Sequence, residues 1–265
     1  KQVLQYPTLI YDGPFSDNTL QINPKIKLQK EVSQGEAEKT ARQVIGKDKI
    51  ENMDVSSVNE KSNIGVYRFT AALKGRTKKD SRMACEISKN GGKVYYLIND
   101  KSINNSSMDV KKASEIGLKY LNDLGYKNMI ITYSLRYNNV AVINYVYSQN
   151  GILVYPDQIK LKIALDNGEI VGVEAEKYLI SHEENRKVET PKLTYGEAEK
   201  RVSKRLNVTN KRLTIIPTET NKEVLCYEFS GNYKGDYFKV YVNTSTGYEE
   251  RIIQIIDTPN GKLVI

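Results

Sequence analysis

Reactive side chains are few in this sequence, and their spacing argues against catalysis. Its 265 residues hold one histidine, His182, and two cysteines, Cys85 and Cys226. His182 falls in the polar stretch Ile180-Ser181-His182-Glu183-Glu184-Asn185, which reads as part of a linker. A Ser-His-Asp or Cys-His centre needs a histidine held rigidly beside its nucleophile, and a linker does not hold one. The cysteines lie in separate strand-like stretches, 82–87 and 223–227, and neither belongs to a C-x-x-C pair. They read as two half-buried thiols packed as small hydrophobes rather than as a disulfide. Zinc fails on ligand count, and no cofactor or metal is expected. Paired carboxylates remain, Glu36/Glu38 and Glu197/Glu199. A glycosidase needs two carboxyls about 5–9.5 Å apart across a cleft, whereas these pairs sit in first helical turns, where capping and the helix dipole already call for acids. Asp166-Asn167-Gly168 hints at a calcium loop, but residues 157–169 lack the alternating oxygen ligands of an EF-hand. It reads as a turn.

Charge is the more informative property. The formal net charge is +8, which favours anionic partners. Between Arg186 and Arg212, nine Lys/Arg face three Glu, a surplus of six. Lys200, Arg201, Lys204 and Arg205 lie off the Ala198/Val202/Leu206 stripe and should form the solvated face of a helix. That face is either ordinary wet surface or an electrostatic patch for an acidic partner surface. Nucleic acid is not expected, because there is no Lys/Arg-rich block, zinc-finger spacing or aromatic-basic ribonucleoprotein motif. Nineteen tyrosines and no tryptophan suit half-buried strand positions such as Tyr67, Tyr95, Tyr145, Tyr227 and Tyr241. They would equally suit a partner surface.

The elements that must position these residues announce themselves by two capping boxes, Ser33-Gln34-Gly35-Glu36 and Thr194-Tyr195-Gly196-Glu197. In each, a hydroxyl accepts a first-turn N–H and the glutamate reaches back to the cap's own N–H. The shared Gly-Glu-Ala-Glu suggests duplication. A helix from Ser33 to about Ile45 precedes strand candidates at 53–58, 65–70, 82–87 and 93–98. Asp109 caps a second helix, stopped by Gly125, before strands at 129–134, 140–147, 158–165 and 169–174. Thr194 opens a third helix, with strands at 212–216, 224–230, 238–242 and 248–256. Lys74-Gly75, Asn90-Gly91-Gly92 and Asn150-Gly151 read as hairpin turns. From cap to last hairpin glycine the spacing is 59 residues (Ser33 to Gly92), 59 (Asp109 to Gly168) and 53 (Thr194 to Gly247). The expected fold is α+β, with three tandem units of one helix on an antiparallel sheet of about four strands. Their limits are 28–103, 107–180 and 190–258, with polar linkers at 99–107 and 181–189. Residues 1–27, punctuated by prolines and Asp12-Gly13, should be extended chain lying against the body. No run of eighteen apolar residues is present. A chain starting at Lys1 reads as a piece of a longer protein, with any anchor or secretion signal removed.

Helix-then-hairpins repeated three times resembles the PepSY domain. Tyr6-Pro7-Thr8-Leu9-Ile10-Tyr11-Asp12-Gly13-Pro14-Phe15-Ser16-Asp17 is similar to the entry into the C-terminal region of the YpeB family of spore germination proteins. So is the stretch from Tyr155-Pro156-Asp157 through Asp166-Asn167-Gly168 to Gly172. The resemblance covers the whole chain and implies a non-enzymatic partner of the cortex-lytic enzyme SleB, a peptidoglycan hydrolase. It places the protein outside the inner membrane of the endospore, anchored through a missing N-terminal segment. PepSY domains in protease propeptides offer an alternative reading as an inhibitor, and a peptidoglycan-binding scaffold offers another. The family implies no catalytic residues to carry over.

Overall fold

A computed structural model describes residues 13–15, 22–61, 63–76, 82–220, 222–258 and 261–264. Most of the expected segment 1–27, and residues 77–81 and 259–260, lie outside the described residues. Three runs of helix then antiparallel strands follow one another. The first is α1 (Gln34–Ile45), β1 (Ile50–Lys61), β2 (Ile64–Leu73), β3 (Arg82–Ser88) and β4 (Val94–Asn99). The second is α2 (Val110–Asp123), β5 (Met129–Tyr137), β6 (Val140–Gln149), β7 (Ile152–Ala164) and β8 (Ile170–Glu174). A short helix, α3 (Glu176–Ser181), leads to the third, α4 (Tyr195–Glu199), β9 (Asn207–Pro217), β10 (Glu223–Tyr233), β11 (Asp236–Asn243) and β12 (Glu249–Thr258). A last strand, β13 (Gly261–Val264), follows.

Local chemistry explains the boundaries. The Ser33 N–H donates to Glu36 Oε2 at 2.8 Å, and the Glu36 N–H donates to Ser33 Oγ at 3.3 Å. Thr194 and Glu197 repeat both bonds at 2.7 and 3.3 Å. Asp109 Oδ1 accepts from the Lys112 N–H at 2.7 Å. Each cap contributes about 1 kcal/mol. Gly46 and Gly125, at φ 97° and 88°, end α1 and α2 in backbone that L side chains avoid. Asn150-Gly151 takes φ 52° and 83°, the two positive values a tight hairpin turn requires.

The strands do not form three separate sheets. They pair as β1-β2-β3-β4-β8-β7-β9-β10-β11-β12-β13, with β6 on the other side of β7 and β5 beyond it. The first two runs join through antiparallel β4–β8, Tyr96 opposite Glu174. The third attaches by a short parallel contact of β7 with β9. The fold is therefore mixed α+β, with a large sheet and few helices.

Three apolar cores follow. The largest joins α1 and α2 to β1–β8, with Phe69, Cys85, Leu97, Leu121 and Tyr145 fully buried. The second lies between the other face of β5–β7 and the β9–β12 sheet, and includes Tyr133, Val146, Tyr155, Ile216, Cys226, Tyr241 and Ile253. Strand β13 comes back close to β5, so this half of the molecule curls toward a barrel. The third, on the far face of β10 and β11, packs Ala198 and Val202 against Tyr227, Phe229 and Val242.

Two expectations are corrected. The third helix stops at Glu199, and residues 200–206 continue as turns with bonds such as Val202 N–H to the Glu199 carbonyl. A continuing helix would stack Lys200 on Lys204 and Arg201 on Arg205, like charges at i,i+4. Val202 is buried and Leu206 half-buried all the same. Second, 181–189 is not a free linker, because its first residues pack into the joint described next.

Candidate functional site

The joint between the second and third runs is built on one strand. Along the β6–β7 ladder the register jumps from Val146 opposite Gln158 to Tyr147 opposite Val154. Tyr155-Pro156-Asp157 is the resulting bulge. Proline has no N–H to give the ladder, so a break there costs least. Before the bulge β7 pairs with β9 (Leu153 opposite Thr214), and after it with β8 (Lys160 opposite Glu174). One strand thus joins the two halves of the sheet, and the bulge turns its side chains into the seam.

Asp157 anchors the first charge cluster. It is fully buried, and both of its oxygens bind Arg186, at 2.8 and 3.0 Å. His182 Nδ1 lies 2.8 Å from Asp157 Oδ2, and its ring stacks on Tyr178 at 4.2 Å and meets Tyr147 edge-on. Arg186 also donates to the Ser181 carbonyl and reaches Glu223 of β10, with Nε 2.9 Å from Oε2. Burial works against the Arg186 charge, but Asp157 and Glu223 outweigh it and hold the guanidinium above its usual range. Burial dominates at Glu223 and raises its carboxyl despite Arg186. Ser181 directs its hydroxyl at the carbonyls of Pro156 and Lys177. It does not serve the imidazole, and the His–Asp pair acts as a brace.

Glu228 anchors the second. Tyr155 donates to its Oε2 at 2.7 Å, Lys239 and Ser230 to its Oε1 at 3.1 and 3.2 Å, and Arg212 Nε lies 3.2 Å away. Burial opposes the carboxylate, yet Lys239, Arg212 and the Tyr155 hydroxyl outweigh it and keep Glu228 below its ordinary range. Burial, then Glu228, pushes the Tyr155 phenol up to about 12. The first two runs have a shallower clamp, in which Glu169 gathers Arg76 at 2.5 Å, Lys101 at 3.7 Å and Lys49 at 3.8 Å. Among the described residues no group of three His, Cys, Asp or Glu is placed to hold a metal ion.

Residues 1–189 match the model of the YpeB sporulation PepSY1 and PepSY2 domains. The chain belongs to the YpeB family. Sporulation protein YpeB of Bacillus subtilis is 32% identical over 84% of this chain and 49% of its own length. That of Halalkalibacterium halodurans is 34% identical over 63% of this chain and 37% of its own length. The chain thus spans about half the length, or less, of these curated relatives. The solved Bacillus megaterium YpeB C-terminal domain superposes with a TM-score of 0.76 at 27% identity, covering 85% of this chain and 98% of that one.

Within this YpeB-family frame, the residues singled out from sequence separate cleanly. Lys200, Arg201, Lys204 and Arg205 are exposed as expected, but they project from turns rather than from a helix face. None of the four has an ion pair among the described residues. Of the other cations in that stretch, Arg186 and Arg212 are drawn into the buried clusters and Lys211 meets Glu199 at 3.2 Å. Glu36 and Glu197 cap, and Glu38 pairs with Arg42 along α1. Cys85 and Cys226 are free and fully buried, more so than expected. Burial pushes the Cys226 thiol up to about 12. Sequence reasoning missed Asp157, Glu228 and Tyr155. The available signal was an acid and a proline inside an apolar run, since a buried carboxylate needs cations to meet it. No helix among the described residues is long and apolar enough to cross a membrane.

Proposed function

We propose that this chain is a non-catalytic regulatory and binding module of spore germination, which holds, stabilises or restrains the cortex-lytic enzyme SleB outside the spore inner membrane. Three PepSY-like units, 28–103, 107–180 and 190–258, form that module. Membership of the YpeB family carries the reading, and the physical character of the joint supports it. Four buried charged groups, Asp157, Arg186, Glu228 and Lys239, are spent on one another in two pairs. Buried pairs of this kind lend specificity of arrangement more than net stability, which suits a scaffold presenting a surface. A pull-down of the chain with SleB, with cortex hydrolysis assayed in the same samples, tests it. Binding with slower hydrolysis makes the module a restraint, and binding alone makes it a stabiliser. Absence of binding overturns the reading for this chain.

A second reading rests on the basic turn. Lys200, Arg201, Lys204 and Arg205 stand exposed, and none forms an ion pair among the described residues, so anionic peptidoglycan is a fitting partner. Retention on purified sacculi that falls steeply with salt supports it. Retention unchanged when all four are replaced by Glu refutes it.

A further inference from the structure

Phe15 is the part of the second core that neither sheet supplies. It is buried, with its ring 5.0 Å from Tyr155 and 5.1 Å from Tyr241. Its φ of 60° is rare for an aromatic residue. Gly13, at φ 102°, lies so close to the wall that a Cβ there would stand 2.7 Å from Tyr133 Cγ and 2.9 Å from Asn144 Nδ2. Lys177 of α3 donates to the Phe15 carbonyl at 2.7 Å. Asn144 is fully buried in the same wall, and neither end of its amide has a hydrogen-bond partner among the described residues. Residues 13–15 belong to no strand. They are held as a bound peptide is held, by one aromatic anchor, one captured carbonyl and one close backbone approach. Every partner lies more than a hundred residues away along the chain.

We propose that the hollow between the β5–β7 and β9–β12 faces is a peptide-recognition socket, and that Gly13-Pro14-Phe15 is its resident ligand, an aromatic-anchored strap bound in cis. The socket takes a small residue, then proline, then an aromatic. Proline restricts the free segment and so lowers the ordering cost of docking. Tyr155 and Tyr133 come from the second run and Tyr241 from the third, so a filled socket clamps the two runs together. The orphan Asn144 amide supplies a donor and an acceptor for the backbone of an exchanging peptide.

The chain has four phenylalanines, so labelling the full chain with 4-fluorophenylalanine gives four fluorine resonances, and Phe15→Leu assigns the strap's. An unlabelled synthetic peptide with the sequence of residues 8–20 is then titrated in. Because the strap is tethered, millimolar competitor is needed. The Phe15 line should move to the position of free labelled peptide while the other three stay. In the Phe15→Ala chain the labelled peptide should bind saturably and at least tenfold more tightly than to the unmodified chain. A peptide with alanine at the aromatic position should not bind. A Phe15 line already at the free-peptide position overturns the proposal. So does a Phe15→Ala chain with native far-UV circular dichroism that takes up no peptide. If that variant loses its native spectrum, Phe15→Leu carries the same measurement.

Discussion

Removing Asp157 should reveal how strongly the second joint is tied. In Asp157→Ala the Arg186 guanidinium, 6% exposed, keeps the Ser181 carbonyl and, as its one remaining carboxylate among the described residues, Glu223, itself 26% exposed. Stripping one partner from a buried pair costs about 3–5 kcal/mol. The surviving Glu223 contact puts this case at the low end, about 3 kcal/mol, which is about 150-fold in the unfolding equilibrium. For a chain of this size that is a fall in Tm of about 6–12 °C. Arg186→Met should cost a similar amount, because it leaves Asp157 buried with only His182. The double variant should be little worse than either single one, since it leaves no charge stranded, giving a coupling energy of about 2–3 kcal/mol. Urea unfolding at pH 7, followed by both tyrosine fluorescence and far-UV circular dichroism, gives the three values and checks that the transition is two-state. If the single effects add to within about 0.5 kcal/mol, the two residues are independent and the clamp is not one.

Other outcomes follow from the same geometry. Glu228 has its folded pKa depressed, so its stabilisation is present above the unfolded value of about 4.3 and is lost as pH falls through the folded one. Glu228→Gln should flatten the acid limb of a Tm-against-pH curve, and an unaltered limb would remove Glu228 from the account. Glu223 has the opposite sign, because its raised pKa makes the folded chain hold a proton that the unfolded chain has released. Glu223→Gln should therefore raise relative stability near neutral pH more than near pH 4, as read by the same scans. A Cβ at Gly231 would meet the Asn207 carbonyl oxygen at 2.2 Å, so Gly231→Ala must displace β9 backbone. Its cost should be about 1–3 kcal/mol in urea unfolding, and a neutral result would mean that the β9–β10 ladder, whose register shifts between Ser230 and Gly231, yields freely there. Replacing Lys200, Arg201, Lys204 and Arg205 by Glu should leave Tm within about 2 °C, as exposed substitutions do.

Sequence alone determined whatever rests on neighbours along the chain. Both capping boxes, the Asp109 cap, the glycine stops and the Asn150-Gly151 turn are decided by a few adjacent residues, and each is found where its residues require. The same holds for twelve of the thirteen strands among the described residues, whose alternation is a local period. The basic residues at 200–205 were legible as exposed, because four cations at that spacing have nowhere to go but water. Tertiary structure decided the rest. It decided that β7 runs six residues further toward the N-terminus than 158–165 suggested, joining two halves of one sheet across its Tyr155-Pro156-Asp157 bulge. It decided that α4 ends after five residues, where a buried Val202 could be supplied by turns without stacking like charges. It also made a packed brace of His182 and Arg186, which look like linker in sequence. Asp157 meets Arg186 across 29 residues and Tyr155 meets Glu228 across 73. Such pairings depend on which strands come to share a seam, and no local pattern records that.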